Sequence, residues 1–219
     1  LRDKDVSANT STMLALAPQA SRLEFAFEEV RAVDTLFQPG SRALLGKTAT
    51  ESSFKQLAPQ YRLLHLATHG YFNKLNPMLS GLQLEADAVD DGRLELHEIL
   101  SLRLDADLVT LSACETGLGS GYFAELPAGD DFVGLTRAFL YAGSTSVLAT
   151  LWEVDDASTL SLMKNFYAGL RQAPGAEDMA NALSLAQRAL LSSKEYNHPY
   201  FWAPFVLVGE MGRDRHAET

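Results

Sequence analysis

Three stretches of this chain, YRLLHLATH (61–69), ADLVTLSAC (106–114) and STSVLATLW (144–152), are apolar at consecutive positions, not at alternate ones. A strand with one face in water alternates with period two, so unbroken apolar runs need cover on both faces. A mainly parallel sheet sandwiched between helices supplies that cover. Shorter runs of the same kind are MLALAP (13–18), closed by Pro18, RALLG (42–46) and FWAPFVLVG (201–209). Pro204 interrupts the last run, which predicts an edge strand or a late start.

Helical patterns separate these runs. Residues 22–37 place Phe27, Val30, Val33 and Phe37 on one face, with Glu28, Glu29 and Arg31 on or near the opposite one. Residues 48–60 suit a helix with a threonine cap. Residues 94–104 and 132–143 follow, the second stopped by Gly143. Residues 155–172 read as a helix capped by Asp155 or Asp156, and 176–193 as one with Met179, Leu183, Ala186 and Leu190 in register. Residues 73–92 form a loop with a small hairpin around SGLQLEA, and 115–131 a second long loop. The expected fold is an α/β three-layer α/β/α sandwich on a mainly parallel sheet of about six strands. Residues 1–12 read as a linker in an excised piece of a longer protein, 13–210 as one domain and 211–219 as a tail.

Charge and cysteine usage narrow the classes of function. Lys and Arg number 18 against 28 Asp and Glu, a net charge of −10. With no basic cluster, such a surface repels a phosphate backbone, so no nucleic-acid partner is expected. No apolar run approaches the roughly 18 residues that a membrane helix needs. The single cysteine, Cys114, cannot form an internal disulfide, which removes disulfide-stapled secreted folds and fits a cytoplasmic setting.

In sandwiched parallel sheets, sites lie beyond the carboxyl ends of the strands. Here those ends carry His69, Cys114 and the Glu153–Asp156 group. If the third and fourth strands are parallel neighbours, His69 and Cys114 share one cleft. A thiol becomes a strong nucleophile once ionised, and a nearby imidazole takes its proton or stabilises the thiolate. The tetrahedral oxyanion needs fixed donors. The backbone N–H of Gly70, which follows His69 and has no Cβ, and that of Cys114 are candidates. The caspase signature Q-A-C-x-G has its histidine about 50 residues upstream. This chain has Ser112-Ala113-Cys114-Glu115-Thr116-Gly117 with His69-Gly70 45 residues earlier, and Ser112 replaces the glutamine.

The stretches LHLATHGYFN, ADLVTLSACETGLG, FVGLTRAFLYAGSTSVLATLWEVDD and HPYFWAPFVLVG, in that order, resemble the CHAT domain. This caspase-like module is usually attached to tetratricopeptide repeats in bacteria and is assigned to the caspase, separase and gingipain clan. The resemblance runs from about residue 13 to 209. It implies a caspase-like fold and a cysteine endopeptidase acting on a protein or peptide substrate. It makes His69 the catalytic histidine and Cys114 the nucleophile, and implies a regulatory domain or protein such as tetratricopeptide repeats as partner. A catalytically silent scaffold or peptide-binding module is the alternative. The loop SGYFAELPAGDDF (120–132) is longer than in many relatives and places Tyr122 and Phe123 beside the cleft as substrate contacts. With long loops on both flanks, activity is expected to wait on a partner.

Other candidates carry less. Glu153, Asp155 and Asp156 are either a helix cap or an acidic cleft wall that selects a Lys or Arg side chain. His65 and His69 would stand about 13 Å apart on a strand, too far for one metal, so His65 is expected in the core. His97, His198 and His216 read as surface or packing residues. GLGSG (117–121) opens no helix, and SLMK (161–164) lies within an amphipathic one. No metal or cofactor is expected. A glutamine amidotransferase would place its nucleophile before the histidine, the reverse of the order here.

Overall fold

The computed structural model describes residues 12–19, 23–73, 75–112, 129–152, 154–172 and 176–209. Six strands build the central sheet: β1 (Met13–Ala17), β2 (Ser41–Leu45), β3 (Leu63–Leu66), β7 (Leu108–Leu111), β8 (Ser146–Thr150) and β9 (Phe205–Gly209). Their spatial order is β2-β1-β3-β7-β8-β9. Every pairing is parallel except β8 with β9. All six expected strands are present, and β9 starts directly after Pro204, at the sheet edge. The remaining strands, β4 (Gly70–Tyr71), β5 (Gly81–Gln83) and β6 (Arg93–Glu95), form a small antiparallel sheet.

The continuous apolar runs are explained by two separate cores. On one face Ala15, Leu63 and Leu108 pack under α1 (Ala26–Phe37), α5 (Asp156–Gln172) and α6 (Ala176–Leu191). On the other, Leu14, Leu64 and Val109 pack under α2 (Glu51–Leu57), α4 (Gly129–Ala142) and the small sheet. Strand neighbours therefore alternate between two dry interfaces, which makes the three-layer sandwich.

Local signals set the helix ends. Thr50 caps α2 by accepting the Ser53 N–H at 3.1 Å. Gly143 closes α4 with φ +114°, its N–H donating to Leu140 O while the Ser144 N–H donates to Phe139 O. These two bonds are a Schellman motif. The helix expected over 94–104 is instead β6 followed by the four-residue α3 (Leu96–Ile99). Leu94 faces Leu82 across the small sheet and is fully buried, so pairing wins there over helix propensity. The helix expected from 132 begins at Gly129, which puts Asp130 and Asp131 in its first turn.

A charged clamp ties the small sheet to α2. Lys55 Nζ lies 2.5 Å from Glu51, 3.0 Å from Asp90 and 2.7 Å from Glu98. Ser52 Oγ donates to both Asp87 and Asp90. The N–H groups of Val89 and Asp90 hold the Asp87 carboxyl down to about 2. Hydrogen bonds from Ser52 and Lys55 lower that of Asp90. Burial pushes Glu51 the other way and offsets part of the effect. Depressed carboxyls stabilise the fold above their unfolded pKa near 4 and lose that contribution as pH falls towards 2. Lowering the pH from 5 to 2.5 is therefore expected to loosen residues 81–95 before the central sheet. Hydrogen exchange corrected for intrinsic rates checks this. Equal loss of protection at Leu84 and Leu64 would refute it.

No helix among the described residues is long and apolar enough to cross a membrane.

Candidate active site

β3 and β7 run side by side with Leu63 opposite Leu108 and Leu66 opposite Leu111, an offset of 45 residues. The same offset holds at their bases, where Arg62 forks onto Asp107 through bonds of 2.8 and 2.6 Å. On the outgoing side the Ser112 N–H donates to Leu66 O at 3.0 Å, the bond that closes the Leu66–Leu111 pair.

Beyond β3 the chain passes from one sheet to the other within four residues. The Ala67 N–H still bonds Leu16 O of β1 at 2.8 Å. The buried Thr68 hydroxyl donates to Gln83 O, and the Gln83 N–H returns a bond of 2.9 Å to His69 O. The Gln83 side chain is itself held by the carbonyls of Leu84 and Gly92. His69 thus has its backbone fixed at the junction of the sheets, with its side chain half-buried at the open end. Gly70 follows, opposite Leu82. The flanking Gln83-to-His69 bond makes this a non-hydrogen-bonded pair, so the Gly70 N–H is directed away from β5. The nearest neighbours of a Cβ at Gly70 would be Gly81 O and the Phe72 ring, both at an ordinary contact distance of 3.8 Å. Packing does not demand glycine there.

The two described acidic candidates separate. Asp155 is exposed and caps α5, its carboxylate accepting the Ser158 N–H at 2.8 Å. Asp156 is half-buried and accepts the Glu24 N–H at 3.0 Å. Burial raises its carboxyl above the usual range; the Glu24 bond opposes this, Glu29 adds to it, and His69 pulls it back down. Asp156 and His69 are therefore within electrostatic reach of one another. Cys114, Tyr122, Phe123, Glu153 and His216, like the GLGSG stretch, lie outside the described residues.

A small pocket, with room for about one water, lies between α1 and α5. Ala67 and Ser112 line it at the strand ends, and Glu29, Asp156 and Thr159 from the helices. Glu29 corrects the sequence expectation. It was placed on or near the polar face of α1 but is 3% exposed, because it falls in the stripe of Ala26, Val30 and Val33. Its Oε1 stands 2.9 Å from Nε2 of the fully buried His65. His65 Nδ1 meets the Tyr167 hydroxyl at 3.1 Å, and that hydroxyl donates to Thr110 Oγ1 at 2.7 Å. Since Tyr167 gives its proton to Thr110, it accepts from His65. His65 is the core histidine expected. His97 and His198 are exposed, as expected of surface residues.

The family model for the CHAT domain matches residues 3–210. The chain belongs to the CHAT domain family. It is 30% identical over 203 residues to tetratricopeptide repeat protein 28 of Mus musculus, and 29% identical over 197 residues to that of Homo sapiens. Each match covers 78% of this chain, and the chain spans only 8% of the length of these curated relatives. Among solved structures, the Arg-specific cysteine proteinase gingipain R (RgpB) superimposes with a TM-score of 0.55 at 11% identity, over 91% of this chain and 46% of that one. The complex of the Porphyromonas gingivalis RgpB pro- and mature domains gives 0.55 at 10% identity, over 91% and 47%. At such identities the likeness concerns the fold, which is that of the caspase-like proteins.

Within this CHAT domain, sequence reasoning missed Glu29, Gln83 and Tyr167. For Glu29 a signal existed, since an acidic residue inside an apolar helical stripe needs a buried partner. Gln83 acts through its main chain and left no trace in side-chain pattern.

Proposed function

We propose that this CHAT domain is a caspase-type cysteine endopeptidase with His69 and Cys114 as its dyad. The observation that carries the proposal is that β3 and β7 are parallel neighbours, so the segment holding His69 and the segment that leads on to Cys114 leave the sheet from the same end. In the proposed reaction Cys114 passes its proton to His69, and the thiolate attacks the peptide carbonyl carbon. The N–H groups of Gly70 and Cys114 hold the oxyanion. The tetrahedral adduct collapses as the C–N bond breaks, and the His69 imidazolium protonates the leaving amine. Water activated by His69 then hydrolyses the thioester, releasing the acid and restoring the thiol. No metal or cofactor takes part.

The relatives are named as tetratricopeptide repeat proteins, which supports association of the domain with such repeats as its regulatory partner. The same relatives favour the second reading, a silent scaffold module, since the matched region is a small fraction of them. Labelling by a peptide with an electrophilic warhead separates the two. Cys114 is expected to react at least about tenfold faster than a free thiol of ordinary pKa, and His69→Ala to remove the advantage. A Cys114 that reacts no faster than a free thiol would favour the scaffold. A lone thiol stays reduced in a cytoplasmic setting, which is where we place the domain.

A further inference from the structure

Thr68 takes no chemical part in the proposed reaction, yet it is fully buried one residue before His69. Its hydroxyl donates to Gln83 O. The Gln83 N–H in turn donates to His69 O at 2.9 Å. Both main-chain groups of one residue on β5 are therefore engaged by the two residues that follow the end of the β3 run. Gln83 is itself held. Its side-chain Nε2 donates to Leu84 O at 2.9 Å and to Gly92 O at 3.2 Å, and the Gly92 N–H donates to the buried Glu51 carboxylate at 2.9 Å. The clasp on His69 is thus tied to the small sheet and, through Glu51, to α2.

The central sheet holds the other side of the turn, where the Ala67 N–H donates to Leu16 O at 2.8 Å. Residue 67 is bonded to one sheet and residue 69 to the other, so Thr68 is the single step between them. With both flanks pinned, its backbone sets the angle at which the chain leaves the central sheet. That angle carries the His69 imidazole and the Gly70 N–H with it. Valine has nearly the shape of threonine and no hydroxyl to satisfy. A threonine in a fully buried place therefore acts through its hydrogen bond rather than through its volume.

We propose that Thr68 is a positioning residue: its bond to Gln83, together with the Gln83 bond to His69, holds the imidazole and the Gly70 N–H at the angle that the thiol and the oxyanion require. The proposal rests on the endopeptidase reading. Much of an enzyme's rate comes from holding reacting groups in an attack geometry, and a misplacement of about 1 Å costs about a hundredfold. Without the Thr68 hydroxyl, one bond of the clasp remains and the strand end is free to turn about it. Thiol and imidazole then fall out of line. The imidazolium stabilises the thiolate less, and the thiol returns towards its ordinary pKa near 8.5. Because Thr68 acts through the main chain of His69, the loss falls on kcat rather than on KM.

Three variants of the full chain test this. Thr68→Val removes the hydroxyl, Thr68→Ser keeps it, and Gln83→Ala removes the bonds that steady the acceptor. Steady-state kinetics on a peptide substrate are expected to show kcat lowered by about tenfold or more in Thr68→Val with KM within about twofold, and Thr68→Ser within about threefold of the wild type. Cys114 is the single cysteine, so its alkylation by iodoacetamide from about pH 5 to 10 gives the midpoint of thiolate formation. That midpoint is expected to rise by about one unit or more in Thr68→Val, to rise by less in Gln83→Ala, and to stay in place in Thr68→Ser. A merely weakened fold would lower the active fraction and leave the midpoint where it was. Asp156, the described carboxylate within electrostatic reach of His69, is the same in every variant and does not produce the difference. Should Thr68→Val fail to fold, Gln83→Ala decides. A wild-type midpoint in the variant that decides, or a Thr68→Ser as impaired as Thr68→Val, overturns the inference and leaves the endopeptidase reading intact. A wild-type Cys114 that titrates like a free thiol refutes the endopeptidase reading, and the positioning role with it.

Discussion

Cys114→Ala and His69→Ala are each expected to lower kcat/KM by roughly a thousandfold or more, and the double variant to be no worse than the poorer single one. The reasoning is that neither group works alone. A thiol without its base is mostly protonated, and an imidazole without the nucleophile has no proton to carry. Two groups that act on one transition state therefore fail together. Thermal unfolding of all three variants is measured alongside, so that a loss of activity through misfolding is recognised. Steady-state kinetics on one peptide substrate, followed by the double variant, decide the matter. If the two losses multiplied, the residues would be acting independently and the dyad would be wrong.

The second large effect concerns stability. Glu29→Leu and His65→Leu are each expected to cost about 3–5 kcal/mol, whereas the double Leu variant should recover most of that loss. Both partners are nearly inaccessible to water and lie 2.9 Å apart. Removing one leaves a polar or charged group buried without a counterpart. Removing both leaves apolar side chains on a face already built from Ala15, Leu63 and Phe166. Denaturant midpoints for the four proteins give the coupling energy. Additive losses would mean the two side chains stabilise the fold independently, against a direct coupling between them.

These two expectations show what the sequence could and could not display. The sheet was legible because its signal is a run of consecutive apolar residues, such as LVTL in β7, which few other structures tolerate. Even the proline at position 204 told correctly where the last strand starts. The position of His69 at the open end of the sheet was legible because it closes such a run and is followed by Gly70. Glu29 was not, because helix periodicity is coarse. A residue one step off the centre of an apolar stripe can be counted on either face, and only the distant His65 decides which. The small antiparallel sheet was half-legible: SGLQLEA announced a hairpin, but β4 and β6 are two and three residues long and gain stability from packing on α2 rather than from their own pattern. The acidic group after β8 was legible as a group only. Neighbouring aspartates 155 and 156 differ by about 100° around a helix, so one caps and the other lines a pocket.

The register of β3 and β7 also bears on how such domains tolerate change in length. The number 45 has no chemical meaning of its own; what sets Leu63 opposite Leu108 is the pairing of the two strands, flanked by the Arg62–Asp107 pair. The chain between them makes excursions at Leu75 and Val89, which are 98% and 83% exposed. Residues added at either tip lengthen the separation in sequence and leave the alignment of the strands untouched. The tip at Leu75 is a permissive insertion site, whereas Val89 lies between Asp87 and Asp90 of the clamp and is not. A reporter peptide or affinity tag placed at Leu75 would travel with the end of the sheet that carries His69 without altering the alignment of its strands.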